Sequence, residues 1–219
     1  MENTTEQLEQ IKEIRSMMER SSRFISFSGL AGVFAGFFAL AGAAAFYIFI
    51  NHKLNFGYTE FARAAPVNLS LDFIQFCIID AAAVVILSLG FAIFFTTRNA
   101  KSKGLTIWDA SAKRMLINLS IPLVAGGIYC LFLLQYGWFG LIAPTTLIFY
   151  GLALVNASKY TLDEIRWLGI SELILGLIGC FFIGYGITLW AFGFGILHIA
   201  YGLMMYVRYE AKPQEKKHW

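Results

Sequence analysis

Six long apolar runs constrain this chain more than any other feature. They lie at roughly 24–50, 73–97, 115–135, 138–157, 168–189 and 192–209. A helix needs about 20 apolar residues to cross the hydrocarbon core of a bilayer. Lipid offers the backbone no hydrogen bonds, so such runs form helices rather than open strands. Periodicity does not separate the two in uniformly apolar sequence, but run length does. Only 14% of residues are charged, against about 25% in a soluble domain. The expectation is an all-α polytopic membrane protein with six transmembrane helices and the lipid bilayer as its first partner.

Charge placement predicts the topology. Lys12, Arg15, Arg20 and Arg23 precede the first run. Arg98, Lys101, Lys103, Lys113 and Arg114 lie between the second and third, and Lys159 and Arg166 between the fourth and fifth. The tail holds Arg208, Lys212, Lys216 and Lys217. The alternate connections carry only Lys53 and Arg63, with none in the tight turns expected near Gly137 and Trp190. The positive-inside rule then places both termini of this multi-pass chain in the cytoplasm. Each basic cluster abuts a span, which argues against a nucleic-acid partner. Cys77, Cys130 and Cys180 fall inside runs and read as small hydrophobes rather than a disulfide framework. The first run is too long, and starts too far from Met1, for a cleavable signal peptide.

Three regions follow: 1–23, a cytoplasmic amphipathic helix; 24–209, the transmembrane bundle; and 210–219, a basic cytoplasmic tail. In the first, Asn3 with Glu6 or Thr4 with Gln7 makes a capping box, and Leu8, Ile11, Ile14 and Met18 share a face. That face suits either a docking partner or the inner headgroups. Between the first two runs, Phe56, Tyr58 and Phe61 suggest a short helix on the membrane surface, ended by Pro66. Trp108 and Asp109 suggest an approach helix for span three. Charged leads before the odd-numbered spans suggest three hairpins. Ser28, Gly32 and Gly36 form one small row on span one, with Ala31, Ala35, Ala39 and Ala43 a second. Gly169, Gly176, Gly179 and Gly186 share a side of span five. Small residues at this spacing let helix backbones approach closely in lipid, either inside one bundle or across a homo-oligomer interface.

The stretches ERSSRFISFSGLAGVFAGFFALAG (19–42) and WLGISELILGLIGCFFIGYGITLWAFGFGILHIAYGLMMYVRYE (167–210) resemble small six-span bacterial membrane proteins of unknown function. The likeness covers most of the chain and rests on packing motifs, so it implies the fold and no chemistry. Some such proteins are labelled carotene-cleaving oxygenases. Integral membrane enzymes of that type hold iron with several histidines, whereas this chain has His52, His198 and His218, one of them inside a span.

Three ionisable residues interrupt the runs. Asp80 sits in FCIIDAAAVV (76–85). An Asp at a span centre costs about 2.5–3.5 kcal/mol to insert. Each neighbouring Leu, Ile, Val or Phe contributes about −0.3 to −0.6 kcal/mol. The span therefore inserts, but the carboxyl should face the bundle. Counting from turns near Asp72 and Trp190, Asp80 and His198 both fall about 12 Å below the outer boundary at 1.5 Å per residue. This predicts an Asp80–His198 pair, with Tyr201 on the histidine's face as a phenol partner. Glu172 lies on the glycine side of span five near the inner surface. Asn118, Ser120 and Asn156 lie at similar depth, with Pro122 loosening span three, and could line a cytoplasmic cavity around it.

Walker, dinucleotide, HExxH and paired-cysteine metal motifs are all absent from the sequence, so no cofactor or metal is expected. A non-enzymatic membrane protein is the first expectation, transporting or sensing a small solute or protons through Asp80, His198 and Glu172. The second is a structural or partner-binding protein that acts through residues 1–23 and the 98–114 loop.

Overall fold

A computed structural model describes residues 28–54, 57–63, 70–104 and 108–211, and these are entirely helical and irregular, with no strand among them. The amphipathic segment 1–23, Phe56, Pro66, His218 and the tail beyond 211 lie outside the described residues. The described residues form eight α-helices in chain order. They are α1 (Gly29–Phe49), α2 (Tyr58–Arg63), α3 (Leu71–Ser102), α4 (Ala110–Gln135), α5 (Ile142–Ala157), α6 (Asp163–Phe181), α7 (Gly186–Trp190) and α8 (His198–Tyr209). A π turn, Ala191–Leu197, joins α7 to α8 without a break. Among the described residues, five segments are long and apolar enough to cross a membrane: Gly29–Lys53, Leu71–Ser102, Ala110–Gln135, Phe139–Tyr160 and Ile183–Tyr209. The fifth apolar run of the sequence forms the shorter α6, which opens with Asp163, Glu164 and Arg166 and carries Glu172 midway.

Local chemistry sets several helix ends. The Ser70 hydroxyl accepts from the Phe73 N–H (3.3 Å) to cap α3, and Asp109 accepts from the Ala112 N–H (2.6 Å) to cap α4. Asp109 thus caps α4 itself, and no separate approach helix precedes it among the described residues. Gly137 turns the chain between α4 and α5 at φ +74°, where a side chain would be strained. The start of α1 is capped from far along the chain. Glu210 accepts from the Ser28 hydroxyl (3.1 Å) and the Gly29 N–H (2.5 Å), joining the first and last described helices at one end. A carboxylate at a helix N-terminus also complements the helix dipole.

The structure moves one expected boundary. The chain does not turn near Trp190. Helix α6 ends at Phe181, and the chain reverses through Phe182 and a 3₁₀ turn at Ile183–Tyr185. Gly184 lies under the Thr59 side chain, whose hydroxyl donates to the Gly184 carbonyl (3.2 Å). Gly186 lies under the Tyr58 hydroxyl and against Pro144. Small residues are needed at 184 and 186 because α2 closes over them. Gly193 and Gly195, which resemble turn glycines in the sequence, serve packing instead: Glu172 and Leu147 fill the space a Cβ would take at Gly193, and Leu40 does so at Gly195.

Two of the three expected hairpins form, α1 with α3 and α4 with α5, whereas α6 packs mainly on α5 rather than on the last span. Helix α3 packs on α1, and α1 on α8 and the π turn; α4 packs on α5, and α5 on α6. The small row of α1 meets α8 closely. A Cβ at Gly32 would lie 3.3 Å from the Gly202 Cα, and one at Gly36 would lie 2.6 Å from the Gly195 carbonyl oxygen. On the other side, Gly169 of α6 interlocks with Gly151 of α5, Gly176 meets Ile148 and the Pro144 carbonyl, and Gly179 meets the Pro144 ring. The bundle is therefore two packed groups, α3–α1–α8 and α4–α5–α6. They meet where α6 and α5 face the π turn and the start of α8. The outer surface is apolar. Ile79 on α3 is 68% exposed, and none of the hydrophobic window of α3 is buried, as suits a helix whose remaining faces meet lipid.

The expected surface helix after α1 exists, but its aromatics point inward. Tyr58 and Phe61 are buried with Ile50, Ala62 and Phe73, making α2 a cap on one end of the bundle. Burial pushes the Tyr58 phenol up to about 12. Because the folded phenol resists ionisation more than an unfolded one near 10, this contribution is complete below pH 10 and is lost as pH rises towards 12. Thermal unfolding in detergent should show this alkaline loss, and Tyr58→Phe should remove it. An unchanged alkaline profile in the variant would mean that the phenol does not matter. The α1–α8 contact gives a second test. Gly36→Leu should lower stability by about 1–3 kcal/mol through overpacking, whereas Ala44→Leu, on an exposed position of α1, should be nearly silent in the same melt.

Candidate functional site

The two helix groups meet around a polar set in an apolar interior. Glu172 of α6 is fully buried at 0% exposure, and His198, the first residue of α8, is 6% exposed. The Tyr150 hydroxyl of α5 lies 2.9 Å from His198 Nε2. His198 Nδ1 lies 3.1 Å from the Gly193 carbonyl oxygen in the π turn. A carbonyl only accepts, so Nδ1 carries the hydrogen. In the neutral ring, Nε2 then accepts from Tyr150. Glu172 Oε1 is 3.3 Å from Nδ1, within ion-pair range. The ring N–H nevertheless serves Gly193, and neither carboxyl oxygen has a hydrogen-bond partner among the described residues. Trp190, Phe194 and His198 follow one another along α7, the π turn and α8, with ring centroids 4.9 and 5.8 Å apart. Tyr150 packs on Phe194 at 4.8 Å.

Local sequence explains each placement. Glu172 is on the glycine side of α6, as the spacing predicted, and that side faces the neighbouring helices. Gly193 has no side chain, so the carboxyl can lie against its backbone. The π turn, a form often found at functional sites, puts the Gly193 carbonyl within reach of the imidazole five residues on.

The expected Asp80–His198 pair does not form. Counted from the reversal at Phe182–Tyr185, His198 lies about 20 Å along its helix, whereas Asp80 lies about 13 Å into α3, at 1.5 Å per residue. Only a turn at Trp190 would make those depths equal. His198 is engaged by Tyr150, Gly193 and Glu172. Asp80 is half-buried on the face of α3 that meets α1, its carboxyl about 3.5 Å from where a Cβ at Gly42 would stand. Tyr201 is not the phenol at the histidine. It packs against the cluster of Leu154, Leu162, Ile165, Leu168 and Met205, below His198 on α8. Tyr150 went unnoticed because an aromatic in an apolar run carries no signal of its own.

The expected cytoplasmic cavity around Glu172 is also corrected. The Asn118 amide donates to the Arg114 carbonyl (2.8 Å) and Ser120 to the Leu116 carbonyl (2.8 Å), both within α4. The Asn156 amide donates to the Asn118 carbonyl (3.0 Å), tying α5 to α4. These groups satisfy backbone along that seam and do not reach Glu172. Helix α4 runs on through Pro122. No group of three or more His, Cys, Asp or Glu residues suited to a metal ion is found among the described residues.

The geometry makes a contrast testable. Tyr150→Phe leaves a buried imidazole nitrogen without its donor, which should cost about 1–3 kcal/mol. Combined with His198→Gln it should cost clearly less than the two single changes added, since they share one bond. Asp80→Ala and His198→Ala share no partner and should add to within about 0.5 kcal/mol. A large coupling between Asp80 and His198 in thermal unfolding would restore the pair that the geometry rejects. No family model, curated protein or solved structure matches the chain.

Proposed function

We propose that this chain is a six-span protein of a bacterial inner membrane, with both termini cytoplasmic, that transports or senses a small solute or protons. The observation that carries this reading is Glu172. A carboxyl buried completely in an apolar bundle is expensive to maintain, and intramembrane ionisable groups commonly mark ion or proton paths. Glu172 also stands beside the His198 imidazole, whose Nδ1–H lies 3.3 Å from its Oε1 and can turn to a carboxylate. A purely structural lock would be met more cheaply by apolar packing.

The topology rests on charge. Arg98 and Lys101 end α3, Lys113 and Arg114 begin α4, Lys159 follows α5, Arg166 begins α6 and Arg208 ends α8. Alternating crossings bring all these ends to one side, and the Ser28–Glu210 contact brings the start of α1 there too. Helix α6, with 19 residues, is about 28 Å long at 1.5 Å per residue, near the thickness of the hydrocarbon core. Asp163, Glu164 and Arg166 then sit at its cytoplasmic end rather than in lipid.

Cysteine labelling in a background lacking the native thiols tests the crossing of α6. Positions 103 and 159 should label from the cytoplasm, positions 60, 137 and 185 from outside, and position 190 should be protected. Labelling of 159 and 185 from one side would reduce the chain to five spans. Flux tests the function: purified protein in liposomes should carry protons or a co-transported solute, and Glu172→Gln should lose that flux while retaining its melting behaviour. Wild-type liposomes as tight as empty ones, together with no pH-dependent change in the protein, would sink both transport and sensing.

A further inference from the structure

We propose that the ligand of the Glu172 site is the proton itself, and that the π turn at Ala191–Leu197 reads its arrival. The proposal rests on the functional reading above and narrows its open choice between solute and proton.

Space decides the ligand class. Glu172 is fully buried, its Oε2 occupies the place a Cβ would take at Gly193, and Leu147 fills the same space from the other side. The imidazole is held by Tyr150 and Gly193 and flanked by Phe194. A proton needs no cavity, whereas a metal ion or an organic solute would have to displace these groups.

The hydrogen bonds decide the readout. One hydrogen, on Nδ1, has two acceptors within 3.3 Å: the Gly193 carbonyl, which now receives it, and Glu172 Oε1. A buried carboxyl without a donor suits the neutral form. When Glu172 gives up its proton to solvent, the resulting carboxylate needs a donor, and the Nδ1–H stands 3.3 Å from its Oε1. The imidazole keeps all its own hydrogens, and no other bond is made or broken. The Gly193 carbonyl then loses its side-chain donor. That carbonyl belongs to a π turn, a strained register relative to the α-helix. The same turn bears on α1, because Leu40 packs over Gly195 and Gly36 lies under the Gly195 carbonyl. Loosening the turn towards α geometry would advance α8 by about 1.5 Å and turn it by about 100°, one residue of helix. Protonation at α6 is thus felt at the α1–α8 contact.

Few other charges interfere. Facing the pair are Tyr150 from α5 and Glu172 itself from α6. The π turn contributes glycines and Phe194, and α1 contributes Gly32, Gly36 and Leu40, none of them titratable. The nearest further carboxylate on α6 towards its start, Glu164, accepts from Arg208 (2.7 Å) and the Tyr209 hydroxyl (2.9 Å). It lies beyond the layer of Leu154, Leu168 and Met205.

Nuclear magnetic resonance of the full chain in lipid nanodiscs, with labelled histidine and glycine, tests this between pH 4 and 9. His198 should hold its hydrogen on Nδ1 throughout, while its ring shifts and the Gly193 carbonyl shift move together in one step. Glu172→Gln should abolish that step. Flat His198 and Gly193 signals in the wild type, or a step that survives Glu172→Gln, would overturn the proposal. Flat signals in a protein that still carries a solute in liposomes would overturn the proton as ligand and leave the transport reading standing. The coupled step in a protein that carries nothing and changes nothing else with pH would support the proton site and sink that reading.

Discussion

A carboxyl with no water around it is the constraint on which the arrangement of this bundle depends. Glu172 is the only charged residue type in the middle of α6, and its burial is total. In lipid-like surroundings such a group must be neutral, paired or moved. The fold supplies a pairing partner, His198, from a different helix group, and holds that partner with a phenol from a third helix. The seam between α3–α1–α8 and α4–α5–α6 therefore carries polar contacts at its centre, where apolar packing alone would leave the two groups free to slide. Glycines on both sides make this possible. Those of α1 admit α8, those of α6 admit α5, and Gly193 admits the carboxyl.

Polar contacts also fix the ends of α8, in a different manner. At its far end Glu164 takes Arg208 and Tyr209, and Glu210 caps α1. Arg208 is largely exposed, so water and screening weaken that ion pair, and its worth lies mainly in the desolvated Glu164 it satisfies. Between this end and His198 lies the apolar layer of Leu154, Leu162, Ile165, Leu168 and Met205. The helix is thus clamped at its end and hinged at its start by a π turn. A structural lock would place its rigid elements at both ends.

The legibility of the sequence follows from the range of each interaction. Helical class and five of the long spans were readable because bilayer thickness and run length are global quantities that local detail does not change. Glu172 was readable as an inward-facing residue because its helix carries glycines on the same side. The reversal between the last two runs was not readable. Two candidate turns, FFIGYG at 181–186 and WAFGFG at 190–195, have nearly the same composition. What separates them is α2, which folds over Gly184 and Gly186 from more than a hundred residues away in the chain and leaves Gly193 and Gly195 to take Glu172 and Leu40. A reversal at Trp190 would put Asp80 and His198 at equal depth, whereas the reversal at Phe182–Tyr185 gives His198 to Tyr150 and Gly193. Tyr150 was missed for a related reason: its role exists only once α5 stands beside α8.

Asp80 shows how the same cost is met with no hydrogen-bond partner among the described residues. Its helix touches the bundle along one face only, and its carboxyl is half-buried where α1 offers Gly42 and, one turn further along α3, Val84. A glycine opposite leaves room for the carboxyl between two helices and keeps it out of direct lipid contact on that side. The group is then neither sealed, as Glu172 is, nor bonded to a base. A sealed carboxyl beside an imidazole changes the structure when its proton leaves, because a hydrogen bond must be moved to serve it. The half-open carboxyl of Asp80 makes no hydrogen bond among the described residues that its ionisation would redirect. The difference between the two acids lies in their neighbours, and it is the neighbours that give Glu172 a mechanical consequence and deny one to Asp80.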